Sequence, residues 1–188
     1  RLFVSGNSYS GSHDTKFSVV RYGNVMGSRG SVIPFFMSLA KDEEFPITDN
    51  RMTRFMISLE DGVGLIWHAF DDMKGGEIYV KKIPSMKVTD LALAVNSNAK
   101  QKEIGIRPGE KLHEQMIGQE DALYTYEYPD YFKILPSIYD WSQDPERIGK
   151  GLKVKSDFLY CSDGNKEWMK ISELKDWIKK NNNKIGKI

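Results

Sequence analysis

The chain has 188 residues, 40% of them hydrophobic and 12% aromatic, enough for one ordinary domain with a core and too few for two large ones. Its 27 basic and 26 acidic residues leave a formal charge of +1, which argues against a dedicated nucleic-acid binder, whose basic groups dominate and cluster. The single cysteine, Cys161, excludes an internal disulfide, and no apolar run has membrane-spanning length and no signal-peptide pattern opens the chain, so the expectation is a soluble cytoplasmic protein without a membrane partner.

The chain opens at Arg1 within the apolar run Leu2-Phe3-Val4, which reads as a cut through an element and hence as a fragment. Residues 1–8 read as the last turns of a helix ended by Gly6-Asn7, and 9–16 as a turn-rich connector. Phe17-Ser18-Val19-Val20-Arg21-Tyr22 is a β-branched and aromatic run of strand length. Gly23, Gly27 and Gly30 follow, and Ser31 is placed to cap a helix through Val32, Ile33, Pro34, Phe35 and Phe36, with proline tolerated in the first turn. Phe45-Pro46-Ile47-Thr48 reads as a short extended segment. Residues 59–73 give the clearest helical period: Leu59, Val63, Ile66, Phe70 and Met73 fall on one face, the face expected to be buried. Ser58 with Asp61 resembles a capping box. Gly75-Gly76 stops that helix, Glu77 to Val80 is a strand, and Ser85 to Val95 a further helix with Val88, Leu91 and Val95 as its buried stripe. A last helix starts near Ser172 and buries Leu174, Trp177 and Ile178. It ends in a lysine-rich, asparagine-rich tail that reads as solvated. Strands alternating with helices argue for an α/β fold with parallel pairing. The stretch from Tyr124 to Cys161 is aromatic-rich and gives no assignment.

Three groups carry potential chemistry. A strand leading through glycines into a helix start presents free backbone N–H groups, which suits phosphate, although the spacing of Gly23, Gly27 and Gly30 matches neither phosphate-binding fingerprint and equally fits an ordinary β–α connection. Arg29, Arg54 and Arg107 sit at turns or strand ends among apolar neighbours. A guanidinium held there is costly unless an anion meets it, whether a pyrophosphate or a structural carboxylate such as Glu110 or Glu114. Glu110 suits ribose hydroxyls, or else the start of a helix. His13, His68 and His113 form no metal-ligand spacing, so no protein-bound metal is expected. Cys161, between Tyr160 and Ser162, has no basic neighbour in sequence and reads as a packing residue.

Taken together, Phe17 to Pro34, Pro46-Ile47-Thr48-Asp49, Met52-Thr53-Arg54-Phe55, Gly75-Gly76-Glu77-Ile78, Lys82 to Lys87 and Ile106 to Glu114 resemble the extended short-chain dehydrogenase/reductases. Within these they are most similar to the UDP-N-acetylglucosamine 4,6-dehydratases of polysaccharide biosynthesis, in particular the short inverting type that opens the pseudaminic acid pathway. The resemblance implies the C-terminal part of a Rossmann-like fold plus a small α/β substrate-binding domain. Residues 1–26 and 59–82 would be the remnant of the dinucleotide-binding domain, and 27–58 and 83–188 the UDP-sugar-binding domain. It further implies NADP, which would take a hydride from C4 of the sugar and return it at C6 while water is lost and C5 inverts. Tyr22 and Val25 would lie against the nicotinamide and Asn24 would contact substrate. Arg29, Gly30, Ser31, Val32 and Ile33 would wrap the nucleotide, with Thr48 near the uridine, Arg54 and Arg107 on the pyrophosphate and Glu110 on the ribose. The glycine-rich turn, the acid/base Asp and Lys and the Tyr-x-x-x-Lys pair of such enzymes would precede Arg1. No residue here is therefore assigned a catalytic role, and the chain alone is expected to be inactive. A homo-oligomer is expected. A UDP-sugar 4-epimerase, and a nucleotide-sugar-binding module without chemistry, remain the alternatives.

Overall fold

In chain order the elements are α1 (Leu2–Ser5), a 3₁₀ turn (Gly6–Tyr9), β1 (Val19–Arg21), β2 (Asn24–Val25), α2 (Val32–Ser38), β3 (Glu44–Ile47), β4 (Thr53–Ile57), α3 (Leu59–Asp72), β5 (Ile78–Lys81), β6 (Ser85–Lys87), α4 (Val88–Val95), β7 (Lys100–Glu103), β8 (Gln115–Ile117), α5 (Gln119–Ala122), β9 (Thr125–Glu127), β10 (Tyr131–Ile134), α6 (Pro145–Ile148), β11 (Leu152–Lys153), β12 (Tyr160–Cys161) and α7 (Ile171–Asn181). This computed structural model describes residues 2–39, 44–137 and 144–187; Arg1 and part of the unassigned stretch before Cys161 lie outside them. The chain gathers into two compact units, one of Arg1–Tyr22, Glu60–Lys82 and Gln115–Tyr160, the other of Gly23–Leu59, Ile83–Glu114 and Cys161–Ile188.

The first unit is built on the sheet β1-β5-β10-β9-β11. The β-branched run of β1 pairs in parallel with β5, Val19 opposite Ile78, as the alternation of strands and helices predicts. Strands β10, β9 and β11 then extend the sheet antiparallel, from the stretch that the sequence left unassigned. Helix α3 has acids in its first turn, where the helix dipole favours them.

The buried face of α3 is the predicted one only in part: Met73 packs against the core and Ile66 is half-buried, but the rest of the face is turned outward. Gly62, Leu65 and Ala69 are buried, whereas Leu59, Val63 and Phe70 are 40%, 41% and 61% exposed. Leu65 and Ala69 pack on Tyr79, with Val20, Met73 and Tyr131 around them. Small residues let the helix lie close on the sheet, and the larger apolar stripe is left on the other side. Past α3, the buried Glu77 carboxylate accepts from Arg147 Nη1 (2.6 Å), Ser18 Oγ (3.0 Å) and the backbone N–H of Gly75 (2.8 Å), which fixes the glycine turn into β5.

The second unit holds the three-stranded sheet β2-β4-β6 and the parallel pair β3–β7. Its core takes Ile33 and Phe36 from α2, Phe45 and Ile47 from β3, Leu91 and Ala92 from α4, and Leu174 from α7. Phe36 and Phe45 stack with ring centroids 5.2 Å apart. Each such ring, once buried, contributes about 1.5–3 kcal/mol. The predicted helix from Ser85 starts instead as strand β6, and α4 begins at Val88; Val88 and Leu91 are buried as expected, and Val95 is partly so. In α7 Leu174 is fully buried, and Trp177 and Ile178 pack partly buried against the same core. Gly23 lets β2 approach β4: a Cβ there would sit 2.5 Å from the Phe55 carbonyl oxygen. Gly27 has φ +73°, and a Cβ on it would meet Trp177 at 2.9 Å.

Candidate functional site

The second unit contains a cavity of about 690 Å³ lined by residues from four separated stretches: Asn24, Gly30, Ser31, Val32, Pro34, Phe35 and Phe36; Pro46, Thr48, Met52 and Arg54; Val88; and Ile104, Arg107 and Glu110. That volume lies within the range of ligand sites for mid-sized organic molecules. Asn24 reaches it from β2, where it pairs with Met56 of β4, and Arg54 from β4 itself. Thr48 is set by the turn that follows β3. There Asp49 receives the Arg51 backbone N–H (2.8 Å) and its Nε and Nη2 (3.0 and 2.7 Å), and these bonds hold its carboxyl down to about 2. Glu103 of β7 accepts from Asn50 and ties down the same turn.

Arg54 is the most firmly held of the charged groups, with 13% of its side chain exposed. Its Nη1 donates to the carbonyls of Thr53 (2.7 Å) and Leu112 (3.1 Å), and Nη2 to that of Lys111 (3.0 Å). Glu110 and Glu114 stand 3.9 and 3.8 Å from it, close enough for attraction and too far for a hydrogen bond. A guanidinium has five N–H groups. Two of them therefore have no protein acceptor among the described residues. Burial pushes the Glu114 carboxyl up, against the Phe55 N–H and Arg54, which pull it down. Arg107 differs: it is exposed, and among the described residues its guanidinium makes no ion pair. The turn that carries it is closed by the Glu110 N–H on the Arg107 carbonyl (3.0 Å).

Eight of the residues singled out from the sequence thus share one cavity: Asn24, Gly30, Ser31, Val32, Thr48, Arg54, Arg107 and Glu110. Arg29 is exposed and outside the lining, Val25 is partly buried in β2, and Ile33 lies in the core with 1% exposure. Tyr22 is exposed at the end of β1. Of the three glycines, Gly23 and Gly27 serve close packing, and Gly30, at φ +73° with open space beside it, is the one that lines the cavity. Ser31 occupies the N-cap position of α2, but its hydroxyl makes no cap bond; Oγ is buried with no partner among the described residues. Pro34, Phe35, Phe36, Pro46, Met52, Val88 and Ile104 were not foreseen as lining residues. No group of three or more His, Cys, Asp and Glu among the described residues is placed to hold a metal ion, and no helix is long and apolar enough to cross a membrane.

Two mixed α/β units, each with parallel strand pairs, the second holding a cavity lined by arginine, glutamate and apolar residues, are the C-terminal architecture of an extended short-chain dehydrogenase. The chain belongs to the polysaccharide biosynthesis protein family, whose profile matches residues 1–136. It is 52% identical over 185 residues to a UDP-N-acetylglucosamine 4,6-dehydratase (inverting) of Campylobacter jejuni subsp. jejuni serotype O:23/36, a match covering 95% of this chain and 55% of the relative. A UDP-glucose 4-epimerase of Rickettsia canadensis is 42% identical over 127 residues, 65% of this chain and 37% of that one. Among solved structures, Pen from Bacillus thuringiensis superposes with a TM-score of 0.80 at 34% identity, covering 96% of this chain and 54% of that chain. The chain spans about half the length, or less, of these relatives.

Proposed function

We propose that this chain is the nucleotide-sugar-binding part of an NADP-dependent dehydratase that removes water across C5 and C6 of UDP-N-acetylglucosamine with inversion at C5, in the cytoplasm, as a homo-oligomer, for a surface glycan such as one built on pseudaminic acid. The observation that carries the reading is the convergence of Arg54, Arg107 and Glu110, from β4 and a turn more than fifty residues away, on one cavity. Two cations and an acceptor suit a diphosphate joined to a ribose. On this reading Ser31, whose buried hydroxyl has a proton to give and no acceptor, donates to a phosphate or sugar oxygen. Phe35 and Phe36 add apolar rings to the lining. Residues 27–58 and 83–188 would form the substrate-binding part, with Gln115–Tyr160 of that range gathered instead into the first unit.

The nicotinamide would meet Tyr22 and Val25. Tyr22 stands at the carboxyl end of a parallel strand, the side on which open α/β sheets take ligands, and its 39% exposed ring suits an apolar heterocycle. When bound, that group supplies hydride acceptance and return. On this reading the residues of this chain bind and orient the sugar nucleotide. The similarity to the Campylobacter relative is greater in identity and in span than that to the epimerases, which favours dehydration over C4 epimerisation.

The test is turnover by the complete protein on UDP-N-acetylglucosamine with NADP, followed by NMR of the sugar. A 4-keto-6-deoxy product inverted at C5 is expected. A C4 epimer would replace this reading with the epimerase one, and unchanged substrate would overturn both.

A further inference from the structure

On the same strand as Arg54, a chain of hydroxyls joins three parts of the second unit that are distant in sequence. Thr53 Oγ1 lies 2.8 Å from His113 Nδ1 and 2.7 Å from Ser162 Oγ. The Ser162 hydroxyl also accepts the Glu114 backbone N–H at 2.9 Å and has the Thr53 carbonyl at 3.3 Å. Thr53 and Ser162 are 3% and 0% exposed, so these bonds are made out of water, where an unmade one is costly. The backbone follows the same line: the Thr53 N–H donates to the Leu112 carbonyl at 3.2 Å and the Ser162 N–H to the Glu114 carbonyl at 2.8 Å.

The arrangement tolerates either state of the imidazole. With Nδ1 as acceptor, Thr53 donates to His113 and Ser162 donates to Thr53. With a proton on Nδ1, the direction reverses: His113 donates to Thr53, Thr53 to Ser162, and Ser162 turns to the Thr53 carbonyl. Every hydroxyl keeps a partner both ways, so the contact does not depend on which ring nitrogen carries the proton.

The series of hydroxyls ends where the site begins. Two of the three carbonyls that grip the Arg54 guanidinium, those of Lys111 and Leu112, belong to the segment that the hydroxyls fasten to β4. If that segment shifts, the guanidinium turns with it, and so does the edge that carries its two unused N–H groups.

We propose that Thr53, Ser162 and His113 are positioning residues for the cavity: their hydrogen-bonded chain fixes residues 110–114 against β4 and so aims Arg54 at the diphosphate of a bound nucleotide. The proposal rests on the reading of the cavity as a UDP-sugar site. None of the three touches the ligand on this account; they act through Arg54.

The experiment is calorimetric titration of the chain with UDP and with uridine, for wild type, Thr53→Val and Thr53→Ser, with melting temperatures recorded alongside. Valine keeps the shape and removes the hydroxyl. Thr53→Val is expected to weaken UDP by about tenfold, the effect of one lost charged contact, with a smaller loss for uridine, which has no phosphate for Arg54 to meet. Thr53→Ser, which restores the hydroxyl, is expected to recover UDP affinity to within about twofold of wild type. If Thr53→Val does not fold, Ser162→Ala removes the hydroxyl that joins Thr53 to the Glu114 N–H and must show the same preferential loss of UDP. Equal losses of UDP and uridine, or a lowered melting temperature with UDP affinity intact, overturn the proposal and leave a purely structural network. A wild-type chain that binds no UDP overturns the cavity reading itself, and the inference with it.

Discussion

A lysine with 5% of its side chain exposed needs an anion, and Lys133 has one in Asp72, 2.7 Å away. The Tyr79 hydroxyl donates to the same carboxylate at 2.7 Å. Burial works to raise the Asp72 carboxyl, but the bonds from Lys133 and Tyr79 outweigh it and leave the group below its ordinary 3.8. Tyr79 moves the other way, raised first by burial and then by its bond to Asp72. A carboxyl lowered in the folded state contributes stability above its unfolded value, and that contribution is lost as pH falls through the folded value. Asp72→Asn should therefore cost about 3 kcal/mol near neutral pH, because it leaves the Lys133 ammonium buried and unpaired. The deficit should shrink on acidification below about pH 4, where the wild type loses the same charge. Urea unfolding at a series of pH values reads both; a constant deficit down to about pH 2 would show that the charge is not the cause. At this scale the sequence was informative where a residue type is unusual for its neighbourhood. Arg54, Arg107 and Glu110 stood out as charges among apolar or turn residues. Phe35, Met52 and Val88 did not, since an apolar residue lining a cavity has the composition of one lining a core. The Thr53–Ser162 bond spans 109 residues and leaves no local trace.

Elements were legible as far as their periods were unambiguous. The strand at 17–22 and the helix at 59–73 fall where β-branched residues and a 3.6-residue repeat place them. The orientation of α3 did not follow, because the helix carries two apolar stripes. The helical period of the larger apolar residues chose Leu59, Val63 and Phe70, whereas close packing on a sheet rewards the stripe of Gly62, Leu65 and Ala69. The two faces make opposite predictions. Leu65→Ala should destabilise by about 2–5 kcal/mol, a core truncation. Phe70→Lys, at a position 61% exposed, should stay within about 0.5 kcal/mol of wild type. Matched denaturation curves decide it, and a large loss from Phe70→Lys with little from Leu65→Ala would restore the original assignment. Strands β9, β10 and β11 escaped notice for a different reason: they are two to four residues long, and only β10 pairs with β5, far away in sequence, while β9 pairs with β10 and β11 with β9.

At the scale of the molecule, a ligand that binds only the folded chain stabilises it by mass action. UDP at a hundred times its dissociation constant adds about 2.7 kcal/mol. For a chain of this length that corresponds to a rise in melting temperature of about 5–10 °C. The two arginines should then separate. Arg107 is exposed and free of ion pairs among the described residues, so Arg107→Ala should melt like wild type without UDP. With UDP it loses a charged contact of about 1.5–3 kcal/mol, and at the same ligand concentration the rise should fall to less than half. Arg54 holds three carbonyls as well as facing the cavity, so Arg54→Ala should lower the melting temperature before any ligand is added and also blunt the response. Calorimetric scans of the three proteins with and without UDP distinguish a residue that serves only the ligand from one that serves the fold and the ligand together. An undiminished rise in Arg107→Ala would remove that residue from the site and leave Arg54 as its one guanidinium.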